Sequence, residues 1–358
     1  MKSKFWFYCV APAMVLAGAC ENDHYGIDDF DKVKKIDTHM HLNAMSTALA
    51  EQAKADNFRL LTVGVDAPSN PPLAEQEKFA LHQVEQFPDR ISYVTTFTLE
   101  HWDSAEFASE IIAQLKASFS AGALGIKIWK NIGMVYKDSA DQFIMIDDPK
   151  FDPIIDYIIG EDKTVLGHLG EPKNCWLPLD MMTVKNDREY FKNHPQYHMF
   201  LHPESPSYED QINARDRFVE RHPAMRFVGA HLGSLEWDVD ELAKRLDKFP
   251  NMAVDMAARI PHLQFQSQAN REKVAAFLIK YQDRIIYATD SGISGDSNPE
   301  DARRNLHNTW LQDWKYFVSD KMMTAVELDG EFQGLNLPKE VIDKIYRQNA
   351  IRWFKMEE

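Results

Sequence analysis

Cysteine is scarce in this chain: of 358 residues only Cys9, Cys20 and Cys175 carry a thiol. Cys9 and Cys20 fall within or directly after an apolar N-terminal stretch that reads as an export signal. Cys175 alone is then left to the folded part, which can form no internal disulfide and must be held by its core. Positive charge is short as well, and a formal net charge of -15 argues against nucleic acid or an anionic membrane surface as the main partner. No apolar run reaches the roughly 20 residues that a comfortable membrane span requires. Internal repeats, low-complexity tracts and Pro/Gly-rich linkers are missing from residues 34–358, so that stretch offers no seam between domains. What is present is enough for one large core, with 44% hydrophobic residues.

At the N-terminus Lys2 and Lys4 precede the apolar stretch, which runs from Phe5 to about Ala19 and ends in small residues before a cysteine, "LAGAC". Residues 1–19 are read as an export signal peptide. The ending resembles a bacterial lipoprotein box. That resemblance implies lipid on Cys20, an exported protein in the periplasm or at the outer membrane, and membrane contact only through the anchor. Residues 20–33 include the acidic run "ENDHYGIDDFD", which lacks helical or strand periodicity and is expected to be a tether.

From Lys34 onward eight short β-like runs alternate with amphipathic segments: "KKIDTHMH", "FRLLTVGVD", "ISYVTTFTL", "ALGIKIWK", "KTVLGHLGE", "MRFVGAHLG", "NMAVDMAA" and "RIIYATDSG". Helical spacing of apolar residues marks 74–87, 105–120, 208–221, 239–249 and 269–281 between them. Such alternation predicts parallel strands joined by crossover helices, and eight of them favour an α/β fold closed as a (β/α)8 TIM barrel over residues 34–358. Two connections are long, 171–206 after strand five and 291–336 after strand eight. In a barrel both rise at the C-terminal rim, where binding loops and lids belong.

The polar residues at the strand ends carry the chemistry. His39 and His41 close strand one; side chains two apart on a strand share a face, so both rings can reach one point. His168 ends strand five, His231 strand six and Asp290 strand eight. Neutral imidazoles with one carboxylate suit zinc or a similar divalent ion, and an open coordination position lets such an ion bind water and lower its pKa. The carboxylate can also serve as the base for that water. His194, His198, His202 and His222 sit in loop or helix-end contexts and are expected to be surface histidines. Glu171, in "HLGEP", can hydrogen-bond a substrate hydroxyl or brace a ligand histidine. Asp255 and Arg259 follow strand seven, where Arg259 can hold an anionic substrate. Trp129 and Trp176 are candidates for an aromatic wall. On the fourth strand, "GIKIWK", opposite parity turns at most one of Lys127 and Lys130 inward.

"DTHMH", "GHLGEP", "GAHLGS", "ATDSG" and the ending "NAIRWF", taken in order, resemble the amidohydrolase superfamily in its amidohydrolase-2 branch of metal-dependent hydrolases and decarboxylases. The resemblance spans about residues 34–354. It implies that His39, His41, His168 and Asp290 hold the metal and that His231 orients or polarises water or substrate. It implies zinc most often, with manganese and others also used, and it makes Lys127 the inward lysine. We read Lys127 as a substrate-binding cation in place of a bridging ligand, hence one metal ion.

The expected function is hydrolysis of a lactone, ester or amide in a small substrate that can bear a carboxylate. Non-oxidative decarboxylation on the same site is the alternative, and a non-catalytic ligand-binding surface lipoprotein is the third reading. The partners expected are a small-molecule substrate and, for quaternary structure, a homo-oligomer.

Overall fold

Each of the eight β-like runs forms a strand, and the computed structural model describes residues 23–358. The signal stretch 1–19 and Cys20 lie outside the described residues. The strands are β1 (Lys35–Asn43), β2 (Phe58–Val63), β3 (Ile91–Thr96), β4 (Gly125–Ile128), β5 (Thr164–Gly167), β6 (Arg226–Gly229), β7 (Met252–Asp255) and β8 (Ile285–Ile286). The eighth run continues into a further piece, β9 (Gly292–Ser294). All are parallel in one curled sheet of order β8-β7-β6-β5-β4-β3-β2-β1-β9. The eighth run returns to the first: His41 pairs with Gly292 in β9, and Thr38 N donates to Tyr287 O at 3.3 Å beside β8. This curled sheet is consistent with a TIM barrel.

Two layers of apolar packing follow from the strand pattern. Ile36, Leu61, Val94, Leu166, Val228 and Ile286 fill the interior, and the C-terminal helix Asn349–Phe354 closes one end by adding Trp353 and Phe354 to that cluster. Asn349 Nδ2 donates to Gln282 O and Ile285 O at 2.6 and 2.7 Å, which gives "NAIRWF" its structural task. A larger cluster packs the outer faces of the strands against the helices, with Trp310 stacked on Phe58 at 3.9 Å between ring centroids. In β1 the register slips between Asp37 and Met40. Asp37 fixes that irregular stretch, accepting from His39 N (3.3 Å), Thr289 N (3.1 Å), Thr289 Oγ1 (2.7 Å) and Trp310 Nε1 (2.9 Å).

Three sequence expectations are corrected. The acidic segment expected as a tether is docked from Asp23 onward: Tyr25 Oη donates to Asp343 Oδ1 at 2.9 Å, and Phe30 is buried. The buried Lys35 donates to Phe30 O and Val33 O, and its ammonium lies over the Phe30 and Phe58 rings, so the polar run hides an apolar anchor. The connection after the eighth run is built around the 20-residue helix Pro299–Val318, capped by Asn298 and buried through Leu306, Trp310 and Trp314. The expected helix over 269–281 is the second part of Ile260–Lys280, broken at Asn270, where φ is -157°.

Burial raises Asp313 to about 8 and Asp37 to about 6, so the folded chain keeps protons that the unfolded chain has released. The stabilising contribution of the protonated Asp313 is fully present below about pH 4 and is lost as the pH rises to about 8, with a slope of about 1.4 kcal/mol per pH unit. Asp313→Asn should flatten that part of the profile; denaturant unfolding of parent and variant at several pH values checks it, and parallel profiles would contradict it.

Candidate metal centre

The rim irregularities of the strands set the site. The ring centroids of His39 and His41 are 5.5 Å apart on β1. His39 Nδ1 donates to Asp255 Oδ2, at the end of β7, at 2.8 Å. A carboxylate only accepts, so the opposite nitrogen, Nε2, carries the lone pair. It takes a hydrogen bond from Lys127 Nζ at 2.9 Å and lies 3.5 Å from Asp290 Oδ1. Burial, with Lys127 next, pulls the His39 pKa down and keeps the ring neutral.

After β6 the run "HLGS" coils left-handed, with φ of 59°, 55°, 61° and 56° for His231, Leu232, Gly233 and Ser234. Three of these are not glycine, an unusual backbone that persists only where its surroundings hold it. Asp255 does part of the holding, because Oδ1 accepts His231 N at 2.7 Å and Ala257 N at 3.1 Å. His231 Nδ1 donates to Ala257 O at 2.8 Å, which leaves Nε2 bare. After β5, Gly170 (φ 81°) turns the chain so that Glu171 comes back to accept from His168 Nε2 at 3.3 Å. His168 Nδ1 is therefore bare, and it faces His231 Nε2 at 3.1 Å. Burial lowers His168 to about 3.

Asp290, in a left-handed conformation at φ 69°, places Oδ1 3.0 Å from His41 Nε2. Burial would raise its carboxyl, yet His39, His41 and His231 hold it well below the usual range. One atom each of His39, His231 and Asp290 lies within 4.8 Å of the other two. The bare nitrogens of His168 and His231 face each other without a proton between them, and His41 Nδ1 is buried without a hydrogen-bond partner among the described residues. Lone pairs so opposed, beside a carboxylate, fit a divalent cation.

The centre opens into a cavity of about 480 Å³, walled on one side by Trp129, Tyr190 and Phe191. The buried Lys130 pairs with Glu171, donates to Tyr190 Oη at 3.2 Å, and lies over the Tyr197 ring at 4.3 Å. Burial opposes the Glu171 charge, but Lys130 and His168 hold its pKa well down. Arg259 also lines the cavity, with Nη1 3.5 Å from Asp187 Oδ1 and Nε unpartnered among the described residues. Asp187 Oδ2 accepts from His262 Nε2 at 3.0 Å and from Asn174 Nδ2 at 2.9 Å.

The amidohydrolase-2 family model matches residues 36–356. The chain belongs to the amidohydrolase family. No curated protein matches it. Among solved structures it is similar to a 2,6-dihydroxybenzoate decarboxylase complexed with 2,6-dihydroxybenzoate, at 14% identity over 90% of this chain and 98% of that one, with a TM-score of 0.50. It is also similar to a dihydroorotase from Campylobacter jejuni (11% identity, 91% and 84% covered, TM-score 0.49). A third is a 5-carboxyvanillate decarboxylase from Novosphingobium aromaticivorans complexed with manganese (13% identity, 95% and 100% covered, TM-score 0.48). At such identities the first of these shows a shared fold and nothing of the reaction. The family is one of metal-dependent enzymes.

Against the sequence reading, the amidohydrolase centre and its surroundings differ in five places. The donors that converge most closely are His39, His231 and Asp290, with His41 and His168 beside them. Lys130 reaches the cavity together with Lys127, because β4 ends at Ile128 and strand parity no longer governs the residues after it. Trp176 lies away from the cavity: the short helix Lys173–Trp176 carries it onto Tyr208, with ring centroids 5.4 Å apart. His198 and His222 are buried, donating to Leu177 O and Phe218 O at 2.8 and 2.9 Å. Asp187 and His262 were missed altogether, since no local pattern couples a helix residue in one connection to a helix start 75 positions later.

Asp255 ties the His39 ring and the His231 backbone at once, so Asp255→Asn should weaken metal affinity about 10–100-fold while the fold persists. Chelator competition, with circular dichroism as the fold control, measures this; unchanged affinity would refute the bracing role.

Proposed function

We propose that this amidohydrolase cleaves a C–O or C–N bond in a small lactone, ester or amide, which can carry a carboxylate. The observation that carries the proposal is the set of ring nitrogens left with a lone pair on His39, His168 and His231, each fixed by a hydrogen bond on the opposite nitrogen and grouped beside Asp290, with Lys127 Nζ next to that of His39. His39, His41, His168 and Asp290 would hold one divalent ion, zinc in the first instance and manganese as the alternative; such an ion supplies electrophilic activation of a carbonyl and of water. Everything else falls to side chains. Asp290, kept ionised by the surrounding imidazoles, accepts a proton from the attacking water. His231 can only accept at Nε2, because Nδ1–H is committed to Ala257 O, and it orients water or substrate from that side.

Lys127 contributes a buried cation next to His39, where negative charge develops on a substrate oxygen. Arg259 receives a substrate carboxylate, and Glu171 braces His168. Trp129 and Tyr190 form the apolar wall, a part the sequence reading had given to Trp129 and Trp176. On the sequence alone we further propose an exported enzyme anchored by lipid on Cys20.

Elemental analysis should find about one zinc or manganese per chain in the parent and none in a His39→Ala/His41→Ala double variant. A well-folded parent that takes up no metal when supplied with it would end this reading. Asp290→Asn should lower turnover of lactones, esters or amides by about 10²–10⁴ with the fold kept, and His231→Asn should retain the ion and lose turnover. Release of carbon dioxide from aromatic acids, with no hydrolysis, would replace hydrolysis by decarboxylation. Activity should fall only well on the acid side, below about pH 5, where Asp290 and His168, both with lowered pKa values, gain protons; a rate that already falls between about pH 8 and about pH 6 would contradict base catalysis by these groups.

A further inference from the structure

Beside the metal cavity lies a second cleft of about 650 Å³, within the range of about 300–1,000 Å³ usual for small-molecule sites. It is lined by residues that follow β7 and β8, by residues of helices Ile260–Lys280 and Pro299–Val318, and by residues of the antiparallel pair Met322–Met323 and Phe332–Gln333. Asn186 and Ala258 line both spaces. Thr289 and Ser291, on the wall of the cleft, flank Asp290 in sequence. The two spaces therefore adjoin along Asn186 and Ala258.

The two spaces differ in chemistry. Lys127, Lys130 and Arg259 line the metal cavity, whereas among the described residues no lysine, arginine or histidine lines the cleft. Its polar groups are amides, hydroxyls and the carboxyl groups of Asp313 and Glu327. Gln264 is only 4% exposed, and its Oε1 has no hydrogen-bond partner among the described residues. An unmatched buried acceptor on a cavity wall is a place for a ligand donor. Asp313 is 8% exposed, and its Oδ2 accepts from Tyr287 Oη at 2.8 Å. Burial raises its carboxyl to about 8, so it can donate as well as accept. Ile260, Pro261 and Phe332 supply an apolar face. An anion would meet Asp313 and Glu327 with no cation to balance it. A sugar ring has C–H faces for the apolar wall and hydroxyl edges for the amides.

We propose that this cleft binds a neutral, polyhydroxylated ring of glycosyl size, the non-reacting part of a substrate whose scissile bond lies at the metal centre. The substrate half of that statement rests on the hydrolase reading; the binding half does not.

The test uses the metal-loaded protein and two probes in separate titrations, methyl β-D-glucopyranoside for the cleft and benzoate for the metal cavity, followed by saturation-transfer NMR. Thr309→Trp, on an exposed position of the cleft wall, fills the space without entering the core, and Gln264→Leu removes the buried acceptor. The glucoside should bind the parent, lose binding in Thr309→Trp, and weaken about three- to tenfold in Gln264→Leu. Benzoate binding and melting temperature should be unchanged in Thr309→Trp, which keeps the result readable if Gln264→Leu folds poorly. A glucoside that does not bind, or that binds parent and Thr309→Trp alike, overturns the proposal, as does preferential binding of N-acetylglycinamide. Loss of benzoate binding and of metal uptake with the glucoside result intact would sink the hydrolase reading and leave the cleft assignment standing.

Discussion

A single buried carboxylate, Asp255, sets the geometry on which the centre depends. One of its oxygens receives His39 Nδ1–H and the other receives the backbone N–H groups of His231 and Ala257. Three segments that meet only in the folded chain, β1, the left-handed turn after β6 and the end of β7, are thereby fixed to one another. The consequence for the imidazoles is chemical as well as positional. A ring whose outer nitrogen must donate presents a lone pair from the inner one, so Asp255 selects the His39 tautomer that a cation needs, as Ala257 O does for His231. Asp37 acts in the same way one layer below, joining β1 to the eighth run through Thr289 and to the outer helix through Trp310.

The backbone accepts unusual conformations to meet these demands. His231, Leu232, Ser234, Ala258 and Asp290 all have positive φ, and all lie at the ends of β6, the seventh strand or the eighth run. Residues with side chains rarely adopt that region, so the packing beneath must over-determine it. The filled barrel interior, closed by Trp353 and Phe354 at the opposite end, is a rigid base of the kind required. Stable strands thus carry the strain that places the donors.

The strands, their order and the residues at their ends were legible because they are local signals: periodicity for the elements, and residue type at a strand terminus for the donors. His39, His41, His168, His231 and Asp290 needed no knowledge of partners to be singled out. What escaped was whatever depends on where a chain goes after a strand has ended. Lys130 was turned outward on paper by parity, a rule that lapses two residues past β4. Trp176 was placed in the wall because aromatic residues in a long connection read as lining, yet a short helix carries it to Tyr208. The acidic segment at residues 21–31 read as solvent-facing by its average, while Tyr25 and Phe30 within it dock on the domain. Averages over a window conceal single anchors.

The connection 171–206 shows why the chemistry of the centre and the choice of substrate are separable. Besides a surface pair of Lys185 with Asp329, it makes two buried charged contacts with the rest of the domain among the described residues: Glu171 with Lys130, and Asp187 with His262 and Arg259. Breaking either would strand a buried charge, at a cost of about 3–5 kcal/mol, so the part of the connection that touches the cavity is fixed in place. Its outer part is different, exposing Met181, Phe200 and Leu201 and making no such pairs. Changes there are tolerated without disturbing the donors, whereas Tyr190, on the same connection and one turn from Asp187, can alter the cavity wall only within the frame those ion pairs impose. Selectivity is thus adjusted by residues between the anchors, and the reacting groups stay on the strands.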